Sequence, residues 1–275
     1  MSTKRPPGEK GIEYFDYLYP RISIIIPTFN SSQNIATTLS GILNESYPDY
    51  EIIIVDAGST DKTLEIVNSF FDPKIRVCSV TTYQVYEMMN KGISLATGEY
   101  VNFLAPGNYH LSVNTIKKIM DVVVQNEKPH LAYGASLLHT PKSEPRILHR
   151  ELSANLLKKG MQPTAIQSVW FRRDLFKIIG KFRTHFKFRG ELDLLCRFIL
   201  SPGLQQASTT HVMIDIDLKP LSHRDVTLHF KETWEIVYHY FGFLTACRWL
   251  TTQKDIGRII KLWFQGVKSA FLGRR

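Results

Sequence analysis

Apolar positions in the first half of the chain fall into two kinds of block. Residues 22–27 and 51–55 are short runs of Ile and Val that stop at Pro, Gly or polar residues. Runs of this length without a helical period read as strands buried on both faces. Between them Ile35, Leu39, Ile42 and Leu43 recur at i, i+4, i+7 and i+8, the spacing of an amphipathic helix. Asn30, Ser31 and Ser32 are its N-cap candidates, and Tyr47-Pro48 ends it. Ser59, Thr60 and Asp61 open a second helix carrying Leu64, Ile66, Val67 and Phe70. A strand over 75–80, a helix over 85–96 stopped by Gly98, a strand over 100–104 and a helix capped by Ser112 follow. The order is βαβαβαβα, which predicts an α/β fold with an open, mostly parallel sheet and helices on both faces.

Beyond residue 130 the pattern loosens. Residues 131–138 and 212–218 read as strands and 141–145 as a loop, while 161–200 hold a strand or loop and two short helices. Residues 1–20 form a polar lead-in ending in an aromatic cluster, Tyr14, Phe15, Tyr17 and Tyr19, expected to pack on the body. From Phe230 onward the chain is helical, basic and aromatic, and no repeat is present.

Charge and cysteines narrow the class. A net charge of +9 over 275 residues calls for an anionic partner, unless the basicity serves only solubility. Nucleic acid is not the expected partner, because the positive charge is spread out and no known binding motif accompanies it. Cys78, Cys196 and Cys247 are odd in number and far apart, which suggests buried thiols in a reducing compartment and no zinc site. The N-terminus has no apolar core of a secretory signal, and no apolar run reaches spanning length.

Both central strands end on the same edge of a parallel sheet, where open α/β folds bind ligands. Pro27, Thr28, Asn30, Asp56, Gly58, Ser59 and Asp61 gather there. Asp56 closes a buried strand and can accept a hydrogen bond from a base or a ribose hydroxyl, and Gly58 permits close backbone approach. Asp61 either meets a ligand or only complements the dipole of the next helix, and Ser59 and Thr60 either do the same or only cap it.

SIIIPTFN, then EIIIVDAGSTDKTLEIV, then YEMMNKGISLATGEYVNFL resemble, in order and spacing, the nucleotide-binding half of family 2 glycosyltransferases with the Rossmann-like GT-A fold. The subgroup resembled is the bacterial colanic-acid-type polysaccharide enzymes. The resemblance covers residues 20–200 and implies a hexosyltransferase that moves a sugar, with inversion, from a UDP- or GDP-sugar to a lipid-linked or polysaccharide acceptor. It implies a nucleotide-binding half at 21–110, an acceptor half at 111–220, and an appended arm at 221–275. Thr28, Asn30 and Asp56 would surround base and ribose, and Asn90, Lys91 and Gly92 would line the donor pocket. Lys91 could also neutralise a phosphate.

Three positions depart from the family pattern. A metal-binding D-x-D, or a variant such as N-x-G-D, becomes Ala105-Pro106-Gly107-Asn108, with no carboxylate. A Mg²⁺ or Mn²⁺ ion bridging a diphosphate wants carboxylate oxygens, and Asn108 offers one amide oxygen. Either Lys and Arg offset the phosphate charge, or a metal is held elsewhere, or activity is lost. His110 is read as an exposed loop residue. Glu191 takes the place of the family's catalytic Asp, where a carboxylate accepts the proton of the attacking hydroxyl, or it is merely a first-turn carboxylate. Asp193, placed on the acceptor side by the resemblance, and Arg197, at i and i+4, are expected to form an ion pair. On the acceptor side, Ile166 replaces a common His, and Gln167 and Trp170 could touch a sugar, with Trp170 alternatively core.

The C-terminal arm interleaves Trp234, Tyr240, Phe241, Trp249 and Trp263 with Lys231, Arg248, Lys254, Arg258 and Lys261. Basic amphipathic helices of this kind lie on anionic membrane surfaces, or else cover the domain or form a dimer contact. The expectation is a cytoplasmic protein, peripheral on the inner face of a membrane. The competing reading is a non-catalytic nucleotide-sugar-binding or scaffolding protein of the same fold.

Overall fold

The computed structural model describes residues 19–140, 143–218 and 222–253. The chain divides into two compact units. The first contains a nine-stranded sheet. Its strands are β1 (Ile22–Thr28), β2 (Tyr50–Asp56), β3 (Ile75–Ser79), β4 (Tyr100–Phe103), β5 (Tyr109–His110), β6 (Leu131–Thr140), β7 (Ser143–Leu148), β8 (Val169–Arg172) and β9 (Gln206–Asp217). They lie in the order β3-β2-β1-β4-β8-β6-β9-β5, with β7 paired to β6. β3, β2, β1 and β4 are mutually parallel, β8 runs against β4 and β6, and β9 is parallel to β6. Six strands therefore share one direction, β1, β2, β3, β4, β6 and β9, which is the mostly parallel sheet expected.

Alternation along β1 explains the layers. Ile22, Ile24 and Ile26 join Ile52 and Ile54 in a core with Ile35, Leu39 and Ile42 of α1 (Ile35–Leu43), Val67 of α2 (Thr63–Ser69) and Ile116, Ile119, Met120 and Val123 of α4 (Thr115–Gln125). Ile25 points the other way, against Gly92 of α3 (Val85–Leu95). Helices thus cover both faces, as strands buried on both faces require.

Several local expectations are corrected. α1 starts at Ile35 behind Asn34, and of residues 30–32 Ser31 serves its first turn through its carbonyl, which accepts from the Asn34 and Ile35 amides. α2 starts at Thr63, not at residues 59–61. Part of the expected loop over 141–145 is strand β7, whose Pro145 is tolerated because β7 pairs only with β6. β9 begins at Gln206, six residues before the expected start at 212, because most of its early residues are solvent-facing and carry no apolar signal. His110 is not an exposed loop residue. It sits 6 % exposed on β5, with Nδ1 2.7 Å from the buried Glu45 carboxylate. Of the aromatic lead-in, Tyr19 packs edge-on against Tyr47 and donates to Asp121, while Tyr14, Phe15 and Tyr17 lie outside the described residues.

The second unit is discontinuous in sequence and cuts across the expected boundary at residue 220. It takes residues 150–163 and 182–202 together with the chain beyond 218. Its helices are α5 (Ala154–Lys158), α7 (Gly190–Leu200), α8 (His223–Phe241) and α9 (Phe243–Thr251), while α6 (Leu175–Ile178) belongs to the first unit. Val237, Ala246 and Trp249 form a small core of their own, with Phe230, Trp234 and Leu250 packed against it. Among the described residues no helix is long and apolar enough to cross a membrane. Trp263 and the basic residues from Lys254 onward lie outside the described residues.

Candidate active site

The edge where β1 and β2 end is built from two loops stapled together. Thr28 pairs with Asp56 at the ends of the strands. Beyond them the Asn30 amide donates to Ser59 Oγ at 2.9 Å, and Asn30 Oδ1 accepts from the Thr60 amide at 2.9 Å. Asn30 adopts a positive φ of 44°, which Asn tolerates better than most residues. The Ser32 amide donates to Asp61 at 3.1 Å, and the Thr63 amide and hydroxyl donate to the other Asp61 oxygen. The Thr63 hydroxyl and the other donors on this carboxylate hold it well below the usual range, at about 2. Asp61 is thus a loop staple.

Asp56 is fully buried and serves its own turn. Its carboxylate accepts from the Gly58 and Ser59 amides at 3.0 and 2.9 Å and from Ser59 Oγ at 2.5 Å. Gly58, at φ 78°, makes that turn possible. The partner that a buried carboxylate requires is therefore internal. Thr28 is 1 % exposed and its hydroxyl donates to the Ile26 carbonyl, so its side chain is structural, while the half-buried Pro27 ends the apolar run.

Two residues not singled out from sequence stand on this scaffold. Phe29 and Tyr83 are 43 % and 68 % exposed, and their rings meet edge-to-face with centroids 4.6 Å apart. Phe29 follows β1, and Tyr83 lies between β3 and α3, so both belong to the same edge. Large aromatics left in water beside a polar rim suit a flat ligand. The available signal was a Phe inside an otherwise polar loop, Thr28-Phe29-Asn30.

The turn after β4 is locked to α1. Thr38 Oγ1 accepts from the Gly107 amide at 2.8 Å and donates to the Asn108 carbonyl at 2.9 Å. Asn108 is 9 % exposed. With Ala105 and Pro106 in place of carboxylates, this turn offers a divalent cation no hard anionic ligand. Among the described residues no group of three or more His, Cys, Asp or Glu side chains is disposed to hold one either. The donor set does not fit a Mg²⁺ or Mn²⁺ site. Carboxylates do occur further along the sheet, where sequence reasoning had not looked. Asp215 of β9 pairs in register with Tyr109 and lies 2.8 Å from His139 Nε2, and its charge raises the Tyr109 pKa. The alternating Ile214-Asp215-Ile216-Asp217 was the signal.

Two other expected contacts, Gly92 and Trp170, change. Asn90 and Lys91 lie along α3, five and six residues past its start, or roughly 8 to 9 Å down the helix at 1.5 Å per residue. Lys91 is exposed, whereas Gly92 is buried against Ile25 and serves packing in place of the donor. Trp170 is fully buried on β8, so a sugar cannot reach its face. The half-buried Gln167 sits in a short 3₁₀ turn, and its carbonyl accepts from Asn102 at 2.9 Å.

In the second unit Glu191 occupies the first turn of α7 and is half-buried. Asp193 is fully buried, bound twice by Arg197 at 3.0 and 2.8 Å, by Tyr240 at 2.7 Å and by Arg183 at 3.3 Å. It is a structural hub, as the expected ion pair implied, and not an acceptor contact. Just ahead of α7, Glu232 accepts from the amides of Lys187, Phe188 and Arg189 at 2.7, 2.9 and 3.0 Å, fixing the strand of chain that enters the helix.

Comparison with known proteins bears on this arrangement. The sequence profile described as glycosyl transferase family 2 matches residues 23–176, more than half of the chain. A PGL/p-HBAD biosynthesis glycosyltransferase of Mycobacterium tuberculosis is 29% identical over 188 residues, covering 67% of this chain and 72% of its own. Among solved structures, Staphylococcus aureus TarS 1–349 in complex with UDP-GlcNAc superposes with a TM-score of 0.64 at 16% identity, over 89% of this chain and 73% of that one. The mannosyltransferase PcManGT from Pyrobaculum calidifontis, in complex with GDP-Man and Mn²⁺, gives 0.57 at 18% identity, over 92% and 81%. At these identities the two structures speak to the fold, which is the GT-A-like one expected.

Proposed function

This chain is a member of glycosyl transferase family 2, and from that premise we propose that it moves a sugar from a nucleoside-diphosphate donor to a hydroxyl of a lipid-linked or polysaccharide acceptor. The observation that carries the donor assignment is the exposed Phe29–Tyr83 pair on a rim whose polar groups are already spent on each other. The stapled loops hold the rim rigid, and the aromatic pair offers a face for the base, an interaction that tolerates either uracil or guanine. Structural neighbours bound to UDP-GlcNAc and GDP-Man support a donor of this class.

Transfer with inversion requires one carboxylate to take the acceptor proton while the acceptor oxygen bonds to the anomeric carbon. The bond from that carbon to the phosphate oxygen breaks, and the nucleoside diphosphate leaves. We assign the base to Glu191, in the first turn of α7. Lys91, exposed on α3, is a cation available to offset phosphate charge where the donor set does not fit a metal.

Glu191→Gln tests this directly. Turnover should fall by about 10²- to 10⁴-fold, the usual worth of a general base, while donor affinity stays the same. Undiminished turnover would remove Glu191 from the mechanism. Donor affinity should also survive EDTA, and a strict need for Mg²⁺ or Mn²⁺ would contradict the charge assignment.

A further inference from the structure

Two adjoining cavities lie within the second unit, and no residue given a role in transfer is among their lining residues. The first, about 600 Å³, is lined by Lys158 and Lys159 at the end of α5 and by Arg248 of α9, with Trp249 as its wall. The second, about 680 Å³, shares Lys159 and Trp249 and continues over Met161, Val226 and Phe230. Trp249 is held in place by Phe230, with ring centroids 4.8 Å apart.

Charge and polarity are divided between the two chambers. Among the described residues no carboxylate lines either one, and none pairs with Lys158, Lys159 or Arg248. His229, in the second chamber, is brought down to about 4 by burial and the nearby Arg189 charge, so it is neutral at pH 7 and adds no charge there. The cationic chamber also has an apolar lip. Leu244 lines it while remaining 83 % exposed, and the adjacent Phe243 is 60 % exposed. Both open α9 immediately after Gly242. Two apolar side chains left in water beside three uncompensated cations are poorly suited to bulk solvent. They suit the boundary between an anionic headgroup layer and acyl chains.

We propose that this face of the second unit binds the phosphate headgroup of an anionic membrane lipid. Lys158, Lys159 and Arg248 surround the phosphate, the Phe243–Leu244 turn enters the upper acyl region, and the second chamber receives part of a hydrocarbon chain. Charge complementarity selects the occupant, since a zwitterionic headgroup offsets its phosphate with its own ammonium group and an anionic headgroup does not. The inference does not depend on sugar transfer, so its failure and that of the donor site are separable.

Vesicle flotation of the full chain tests it, using phosphatidylcholine alone and phosphatidylcholine containing phosphatidylglycerol. Wild-type protein should float with the anionic vesicles only, and less so at high salt. Each cation near such a surface contributes about fivefold to partitioning, so the triple variant Lys158→Ala, Lys159→Ala, Arg248→Ala should bind about 100-fold more weakly. Phe243→Ser with Leu244→Ser should also lose binding while keeping the wild-type melting curve, because both side chains are exposed. Equal flotation with neutral vesicles would overturn the proposal, as would an undiminished triple variant. Full displacement by soluble glycerol phosphate would identify a free-phosphate site and overturn the lipid assignment.

Discussion

Asp61 shows how one residue's role is settled by its neighbours. From sequence it was balanced between ligand contact and helix-dipole partner, and its bonds to Ser32 and Thr63 make it a staple between two loops. Its ordinary pKa of 3.8 falls to about 2 in the folded protein. A depressed carboxylate stabilises the fold fully above the unfolded value, and that contribution fades as pH drops from 3.8 through 2. Side-chain carboxyl NMR shifts should show Asp61 titrating near 2, and a midpoint at the ordinary value would mean that the staple is absent in solution. Asp56 was legible as a buried carboxylate in need of a partner, but not which partner, because a turn that folds back on its own strand leaves no periodic trace. Trp170 could have faced either way by composition alone, and only its register against Asn102 on β4 fixes it in the core.

Among elements, the strands and helices around β1 and β2 were readable because full burial writes continuous apolar runs and clear helical stripes. β7 and the first half of β9 were not, since edge and solvent-facing strands carry mixed sequence. Contact between α3 and β1 was also invisible, because the resemblance assigned Gly92 to the lining of the donor pocket. A Cβ there would approach Ile25 Cγ2 to 2.3 Å. Gly92→Ala should therefore destabilise the protein by about 1–3 kcal/mol, the usual cost of overpacking. Chemical denaturation should find a lower midpoint, and an unchanged midpoint would show that α3 does not pack as described.

At the level of the whole molecule, the family and its parallel half were legible from three motifs, whereas the division into two units was not. The second unit is assembled from three separated stretches, and no composition shift marks residues 150–163 or 182–202 as partners of the C-terminal helices. The altered Ala105–Asn108 turn was legible as a departure. Its physical counterpart is a backbone turn tied to Thr38 and offering no carboxylate. Calorimetric titration with UDP and GDP tests the nucleotide edge most directly. One of the two should bind the wild-type protein, and Phe29→Ala should weaken it by roughly 10- to 100-fold, corresponding to about 1–3 kcal/mol for a stacked base. Failure of both nucleotides to bind, or an affinity untouched by Phe29→Ala, would contradict the assignment of that edge as the donor site.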